Sequence, residues 1–366
     1  SSHWNSANAL EKSTYGEEAI THNWQFEFGT PLLSRTWQNK AQKLATRALK
    51  NPAVSAMTTD WLGQSFVAHI ARMSLMLADH YYSSLPVEKC KSAWRDPKYQ
   101  PIANTDKTAN SNKAQAKQQL DEHNIGVAAN AQRFIQNLPA LKFTLPAITQ
   151  HRLFTKNTAQ TKYRWQDKAF SEMKTIAKTT EKQGFFGVNM ASTGCGKTIA
   201  NARIMYALAD ESEGCRFSVA LGLRTLTLQT GDAYRDLLKL GEDELGVLVG
   251  SQAVKTLHQL SKEIESVGSG SESADDLLAD IYVSYQGQIY DGRLKHWLNS
   301  SPKLEQLVSA PVVVSTIDHL MPATESKRGG KQIAPMLRLL TSDLVLDEPD
   351  DFGLDDLPAL CRLVNW

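Results

Sequence analysis

Cysteine is scarce in this 366-residue chain, and Cys90, Cys195, Cys215 and Cys361 stand far apart with no Cys-x-x-Cys pair among them. That argues against a zinc site or a disulfide framework and fits a reducing cytoplasm best. An excess of either charge is lacking too: Lys+Arg 40 against Asp+Glu 39 leaves a formal net charge of +1. No global basic field announces nucleic acid, so any polyanion site must be a local groove. No apolar run approaches the roughly 20 residues needed to span a bilayer. The opening SSHWNSANAL has neither the basic nor the apolar region of a signal peptide. A soluble protein with no membrane partner, not exported by that route, is the expectation. The chain shows no internal repeat, and no His-Asp dipeptide occurs in it.

What is present is an average globular composition, 42% hydrophobic and 22% charged, on a chain long enough for about two or three domains. The pattern divides near residue 150. Residues 33 to 138 are rich in helix formers, with apolar residues at helical spacing in LGQSFVAHIARMSLMLADHYYSSL and in QLDEHNIGVAANAQRFIQNL. This part, 1–148, reads as all-α. Between those two stretches PVEKCKSAWRDPKYQPIANTDKTANSNKAQ has the prolines and small polar residues of a long loop. From 149 to 366 the short β-rich runs FFGVNMA, FSVALGL, LGVLVG, APVVVSTI and SDLVLDE alternate with helical stretches such as IANARIMYALAD. Such alternation predicts α/β architecture with a parallel sheet. SVGSGSESADD, at 266 to 276, reads as a mobile excursion from it.

Two motifs carry chemistry. ASTGCGKT, residues 191–198, follows an expected strand and opens an expected helix, and it fits GxxxxGK[ST] except that Ala191 replaces the first glycine. With Cys195 between them, Gly194 and Gly196 let backbone N–H groups curl around phosphate oxygens at a helix N-terminus. Lys197 is placed to hold the β- and γ-phosphates of ATP and Thr198 to ligate Mg2+. The second motif, LVLDEPDDF, is an apolar run that ends in acids, which brings Asp347 and Glu348 to the carboxyl end of a buried strand. Asp347 suits the Mg2+ shell, and Glu348 suits polarising the attacking water. Asp350 and Asp351 complete the acidic turn.

The D-E-x-D form resembles the acidic box of superfamily 2 helicases, and three further stretches agree with it. YRWQDKAF puts Gln166 about thirty residues before Lys197, as the adenine-reading glutamine of such motors would be, with Trp165 as a wall for the base. ALGLRTLTLQTGDAYR resembles motif Ia, in which Arg224, Thr225 and Gln229 would lie along the tracked strand. VVVSTIDHLMP supplies Thr316, a further residue expected on the DNA strand, and Asp318 in a Thr-Ile-Asp stretch. Together these resemble the type I-F CRISPR-associated helicase-nuclease, with residues 149–366 as its first RecA-like lobe. The resemblance implies ATP-dependent movement on single-stranded DNA, feeding an HD-type nuclease that uses a divalent transition metal. It also implies recruitment by a crRNA-guided surveillance complex, contact with the adaptation integrase, and phage-encoded inhibitors.

The helical part then resembles the end of the HD nuclease domain. HIARMSLMLADHYYSS offers Asp79 as a metal ligand, with His69, His80 and His123 as weaker ones. Each has an ordinary reading as well, since Asp79 could cap or pair within a bundle and lone histidines in bundles are mostly structural. The absent His-Asp pair leaves the metal set incomplete. The chain ends at LVNW, before a Ser-Ala-Thr motif or a second RecA-like lobe. A fragment that binds and turns over ATP poorly alone is therefore expected. Two other functions stay open: another superfamily 2 motor with a helical accessory domain, and an interaction module switched by ATP.

Overall fold

The computed structural model describes residues 18, 21–22, 25–57, 64–107, 114–250, 281–286, 302–325, 330–349 and 352–366. The expected excursion at 266–276 and the acidic pair Asp350 and Asp351 lie outside them. The helices of eight or more residues are α1 (Arg35–Leu49), α2 (Ser65–Ser84), α3 (Leu120–Asn137), α4 (Arg164–Gln183), α5 (Lys197–Leu208), α6 (Arg224–Leu237), α7 (Pro302–Ser309), α8 (Ile333–Leu340) and α9 (Leu357–Asn365). The strands are β1 (Ile102–Lys107), β2 (Ala114–Gln119), β3 (Phe217–Leu221), β4 (Leu245–Gly250), β5 (Ile281–Ser284), β6 (Val312–Thr316) and β7 (Asp343–Asp347). No described helix is long and apolar enough to cross a membrane. Chain contacts divide the molecule into two compact units, 1–63 with 82–130, and 64–81 with 131–366.

The first unit is mainly helical, as expected, with one β-hairpin in it. The stretch read as a long loop contains β1, which pairs antiparallel with β2. Neither IANTDK nor AQAKQQ has strand-like composition, and pairing prevails over propensity because side chains of the hairpin are held by tertiary bonds. Buried Gln118 donates through Nε2 to the Tyr82 carbonyl at 2.7 Å, and Asn104 donates to Gln118 Oε1 at 2.9 Å. Fully buried Asp121 accepts from the Ser34 hydroxyl at 2.8 Å and the Asp96 amide at 2.7 Å. Glu122 takes the Tyr82 hydroxyl at 2.9 Å and pairs with Arg95 at 2.6 Å. Gly126 makes room for this, since a Cβ there would sit 2.3 Å from the Tyr82 ring.

The second unit is built on a five-stranded sheet of order β5-β4-β6-β3-β7. β4, β6, β3 and β7 run parallel, and β5 joins the β4 edge antiparallel. Strand side chains alternate between two cores, as a period of two requires. Ala220, Leu248 and Val313 face a cluster with Met73, Leu77, Phe134 and Leu337, and Ile70, Met76 and Tyr81 of α2 pack against it. Val219, Val247 and Val314 face the opposite cluster with Phe154, Ala202, Tyr234 and Leu238. Covering on both faces is why these strands read as nearly continuous apolar runs.

At the amino edge of the sheet two buried arginines bind carbonyls rather than carboxylates. Arg338 donates to the Phe217 and Pro311 carbonyls at 2.8 and 2.9 Å, and Arg216 to those of Val308 and Thr341 at 2.6 and 2.8 Å. Burial pushes the Arg216 guanidinium down to about 10. One expected strand is not formed: FFGVNMA, 185–191, pairs with no strand among the described residues, and Phe186, Val188 and Met190 are 81%, 74% and 89% exposed. Its composition suits a strand, but a strand forms only against a neighbour. The described partner of β7 is β3 alone.

Candidate nucleotide site and strand-facing edge

The parallel register sets the site. Leu221, the last residue of β3, stands beside Thr316 of β6 and Asp347 of β7, so three loops leave the carboxyl edge together. Ligands of parallel sheets bind at that edge. The loop after β7 carries Glu348, the loop after β6 carries Asp318, and the loop after β3 runs directly into α6 at Arg224.

The phosphate-type loop is formed without its strand. Gly194 and Gly196 adopt φ of 74° and 81°, a left-handed backbone that glycine reaches without strain. Cys195 turns back with its amide on the Ser192 carbonyl at 3.2 Å, and Gly196 caps α5, so Lys197 and Thr198 are the first residues of that helix. Its free amides and dipole there favour an anion. Ala191 does not disturb this start; its amide bonds to the Asn189 side chain at 3.2 Å, which also reaches Asn201 of α5 at 2.8 Å.

Helix α4 holds the loop from the side. Trp165 donates its indole N–H to the Cys195 carbonyl at 3.1 Å, and buried Gln166 donates through Nε2 to the Gly196 carbonyl at 3.0 Å. Both contacts go to main chain, so in this structure the pair is a brace for the loop. The fit is tight: a Cβ on Gly196 would meet Gln166 Nε2 at 2.5 Å and the Tyr163 ring at 3.2 Å. Beneath it Asp167 of α4 and Arg203 of α5 form an ion pair at 2.7 Å, and Arg203 also binds the Phe154 carbonyl at 2.9 Å.

Asp347 is buried at the end of β7. Desolvation raises its carboxyl above the usual range, while the nearby Lys197 ammonium and the Glu348 amide oppose that rise. The structure therefore brings the lysine of one motif to the first acid of the other. Glu348 stands at φ 53°, left-handed without being glycine, which costs roughly 1–2 kcal/mol. Strain of this kind clusters at functional sites. The donor set fits a phosphate-bound Mg2+: a helix-start hydroxyl, a desolvated carboxylate and a lysine suit a hard cation with phosphate oxygens.

The other expected residues are placed less evenly. Thr225 and Gln229 lie on the exposed side of α6, and Asp318 is exposed, whereas Thr316 is buried at 3%. Asp79 is exposed near the end of α2, and His69 and His80 are half-buried on the same helix. His123 is held by Gln118 Oε1 at 2.9 Å and stacks edge-on to Tyr82. Among the described residues no group of three His, Cys, Asp or Glu could hold a metal ion, so a transition-metal site does not fit them.

Tyr163, Asn189, Arg203 and Tyr234 support this site and had no sequence signal of their own. Their partners are main-chain carbonyls or residues far along the chain. The Asp167–Arg203 spacing could have been read only with α4 and α5 already known to be neighbours.

No family model matches the chain. It is 57% identical over 369 residues to the CRISPR-associated nuclease/helicase Cas3 subtype I-F/YPEST of Pectobacterium atrosepticum, a match covering 99% of this chain and 33% of that protein. It is 49% identical over 344 residues to the protein of the same name from Pseudomonas aeruginosa, covering 94% of this chain and 31% of that one. The chain spans about a third of the length of the curated relatives it matches.

Proposed function

We propose, from the premise that this chain is a homologue of one third of the type I-F CRISPR-associated nuclease/helicases, that it carries the nucleotide-binding half of an ATP-driven motor on single-stranded DNA. In this reading residues 149–366 are the first RecA-like lobe and 1–148 the end of an HD nuclease domain, both parts of a longer cytoplasmic protein. The observation that carries it is that α5 packs beside β7 at the carboxyl edge of the sheet, with the Lys197 charge near enough to act on buried Asp347.

Lys197 and the amides of the Gly194–Thr198 turn hold the ATP phosphates. Thr198 and Asp347 would hold Mg2+, which would supply positive charge to the phosphoryl group being transferred. Glu348 orients the attacking water. Trp165 and Gln166 keep the loop in shape, and Gln166 reads the adenine edge. Arg224, Thr225 and Gln229 take DNA phosphates, which position a strand without reading its sequence. A second lobe would supply cations that act on the transferring phosphoryl, an effect of about 10³ to 10⁵ in rate in related enzymes. Turnover by this chain alone is correspondingly poor.

For the whole protein the reading extends to degradation of invading DNA, recruitment by a crRNA-guided surveillance complex, contact with the adaptation integrase and capture by phage-encoded inhibitors. The nuclease metal takes no part in the argument, because the described residues do not supply its ligands. The test is steady-state ATP hydrolysis by the full-length protein that contains this chain, with and without single-stranded DNA, beside Lys197→Ala. Strong stimulation by DNA that vanishes in the variant is expected. Hydrolysis indifferent to DNA sinks the motor and favours an ATP-operated interaction switch.

A further inference from the structure

Helix α6 spans from the strand-facing edge to the nucleotide site. It starts at Arg224 just beyond β3, with Thr225, Gln229 and Asp232 exposed and Thr227, Thr230, Gly231, Tyr234 and Leu238 buried beneath. It lies hard against β4: a Cβ on Gly231 would stand 2.8 Å from Val247 Cγ2. Tyr234, about 15 Å along the axis from Arg224 at ~1.5 Å per residue, is wholly buried and meets Phe217 edge-on at 6.2 Å. Its hydroxyl donates to the main-chain carbonyl of Thr198 at 3.2 Å. Thr198 is the residue whose side chain the proposed function assigns to Mg2+. A phenylalanine would fill the same volume with no buried hydroxyl to satisfy, so the polar tip acts through this contact.

We propose that Tyr234 is a positioning residue that couples strand contact at the start of α6 to the nucleotide-holding residues at the start of α5. The inference rests on the DNA-motor reading above. The closely seated helix transmits a shift at Arg224 along its axis, because packing at Gly231 leaves little slack to absorb it. The Tyr234 hydroxyl passes that shift to the Thr198 carbonyl, and so to the turn that sets the Thr198 side chain. Linkage requires the converse: a filled nucleotide site must steady α6.

The experiment compares the full-length protein with Tyr234→Phe. It measures kcat with and without a single-stranded oligonucleotide, affinity for a non-hydrolysable ATP analogue with Mg2+, and thermal midpoint. Stimulation by DNA should fall about three- to tenfold, the effect of one hydrogen bond lost where it matters. Unstimulated rate and nucleotide affinity should fall by a smaller factor than the stimulation does. Amide exchange in the unsubstituted protein gives a second readout that needs no variant. DNA should slow exchange at residues 197–201, and the Mg2+ analogue should slow it at 230–238. Equal stimulation in both proteins, or exchange at each site blind to the other ligand, overturns the coupling while leaving the motor standing. Absence of any stimulation in the unsubstituted protein overturns the motor reading and the coupling with it.

Discussion

At Asp347 the requirements of folding and of chemistry oppose each other. Burial raises its carboxyl above 3.8, with Lys197 and the Glu348 amide recovering only part of the cost. An acid whose folded pKa lies above its unfolded one destabilises the fold. Stability falls as pH rises from the unfolded value through the folded one, and the whole penalty is present at neutral pH. Asp347→Asn should therefore raise the ligand-free thermal midpoint by about 2 °C or more while abolishing hydrolysis. Scanning fluorimetry of the full-length protein with and without Mg2+ and nucleotide checks both, and a lowered midpoint would mean that attraction to the Lys197 charge outweighs desolvation. Gly196 belongs to the same scale. Its left-handed backbone and the 2.5 Å approach of Gln166 leave no room for a side chain.

Between elements, the decisive contact joins α4 to α5. Arg203 is almost fully buried, pairs with Asp167 at 2.7 Å, binds the Phe154 carbonyl at 2.9 Å and lies 5.4 Å from the centre of the Phe170 ring. Removing one member of a buried pair strands the other, which costs about 3 kcal/mol or more. Arg203→Ala should lose about that much in urea unfolding and also weaken nucleotide binding, because α4 carries Trp165 and Gln166 to the loop. A loss below about 1 kcal/mol would show the pair to be sufficiently hydrated to matter little. Here the sequence was partly legible. Gln166 was expected to read an adenine edge; in the structure its side-chain amide donates to the Gly196 carbonyl at 3.0 Å. The indole of Trp165 is instead engaged with the Cys195 carbonyl, a bond that no spacing rule foretells.

For the whole molecule, a net charge of +1 leaves no long-range field to draw in DNA. On the proposed function, this chain's binding of DNA comes from a few local contacts near the start of α6. The logarithm of the affinity for single-stranded DNA should then fall with log salt at a shallow slope of about −1 to −2, near −0.7 for each phosphate neutralised. Fluorescence anisotropy across a salt series measures it. A slope steeper than about −5 would mean an extended basic track elsewhere in the full-length protein.

The sequence by itself determined the α/β class, four of the five sheet strands, the helix that follows Gly196, and the two motifs that converge at Lys197 and Asp347. Those features are local: an apolar run of strand length, a glycine that reaches a left-handed turn, an acid placed after a buried strand. Only the tertiary structure decided that 102–107 pairs as a strand while 185–191 pairs with none. It also decided that the start of α2 packs into the core of the sheet unit, and that Tyr234 reaches Thr198. The physical reason is the same in each case. Sheet pairing, burial and hydrogen bonds to main-chain carbonyls are made with partners distant in the chain, and a residue's own type and neighbours carry no record of which partner it meets.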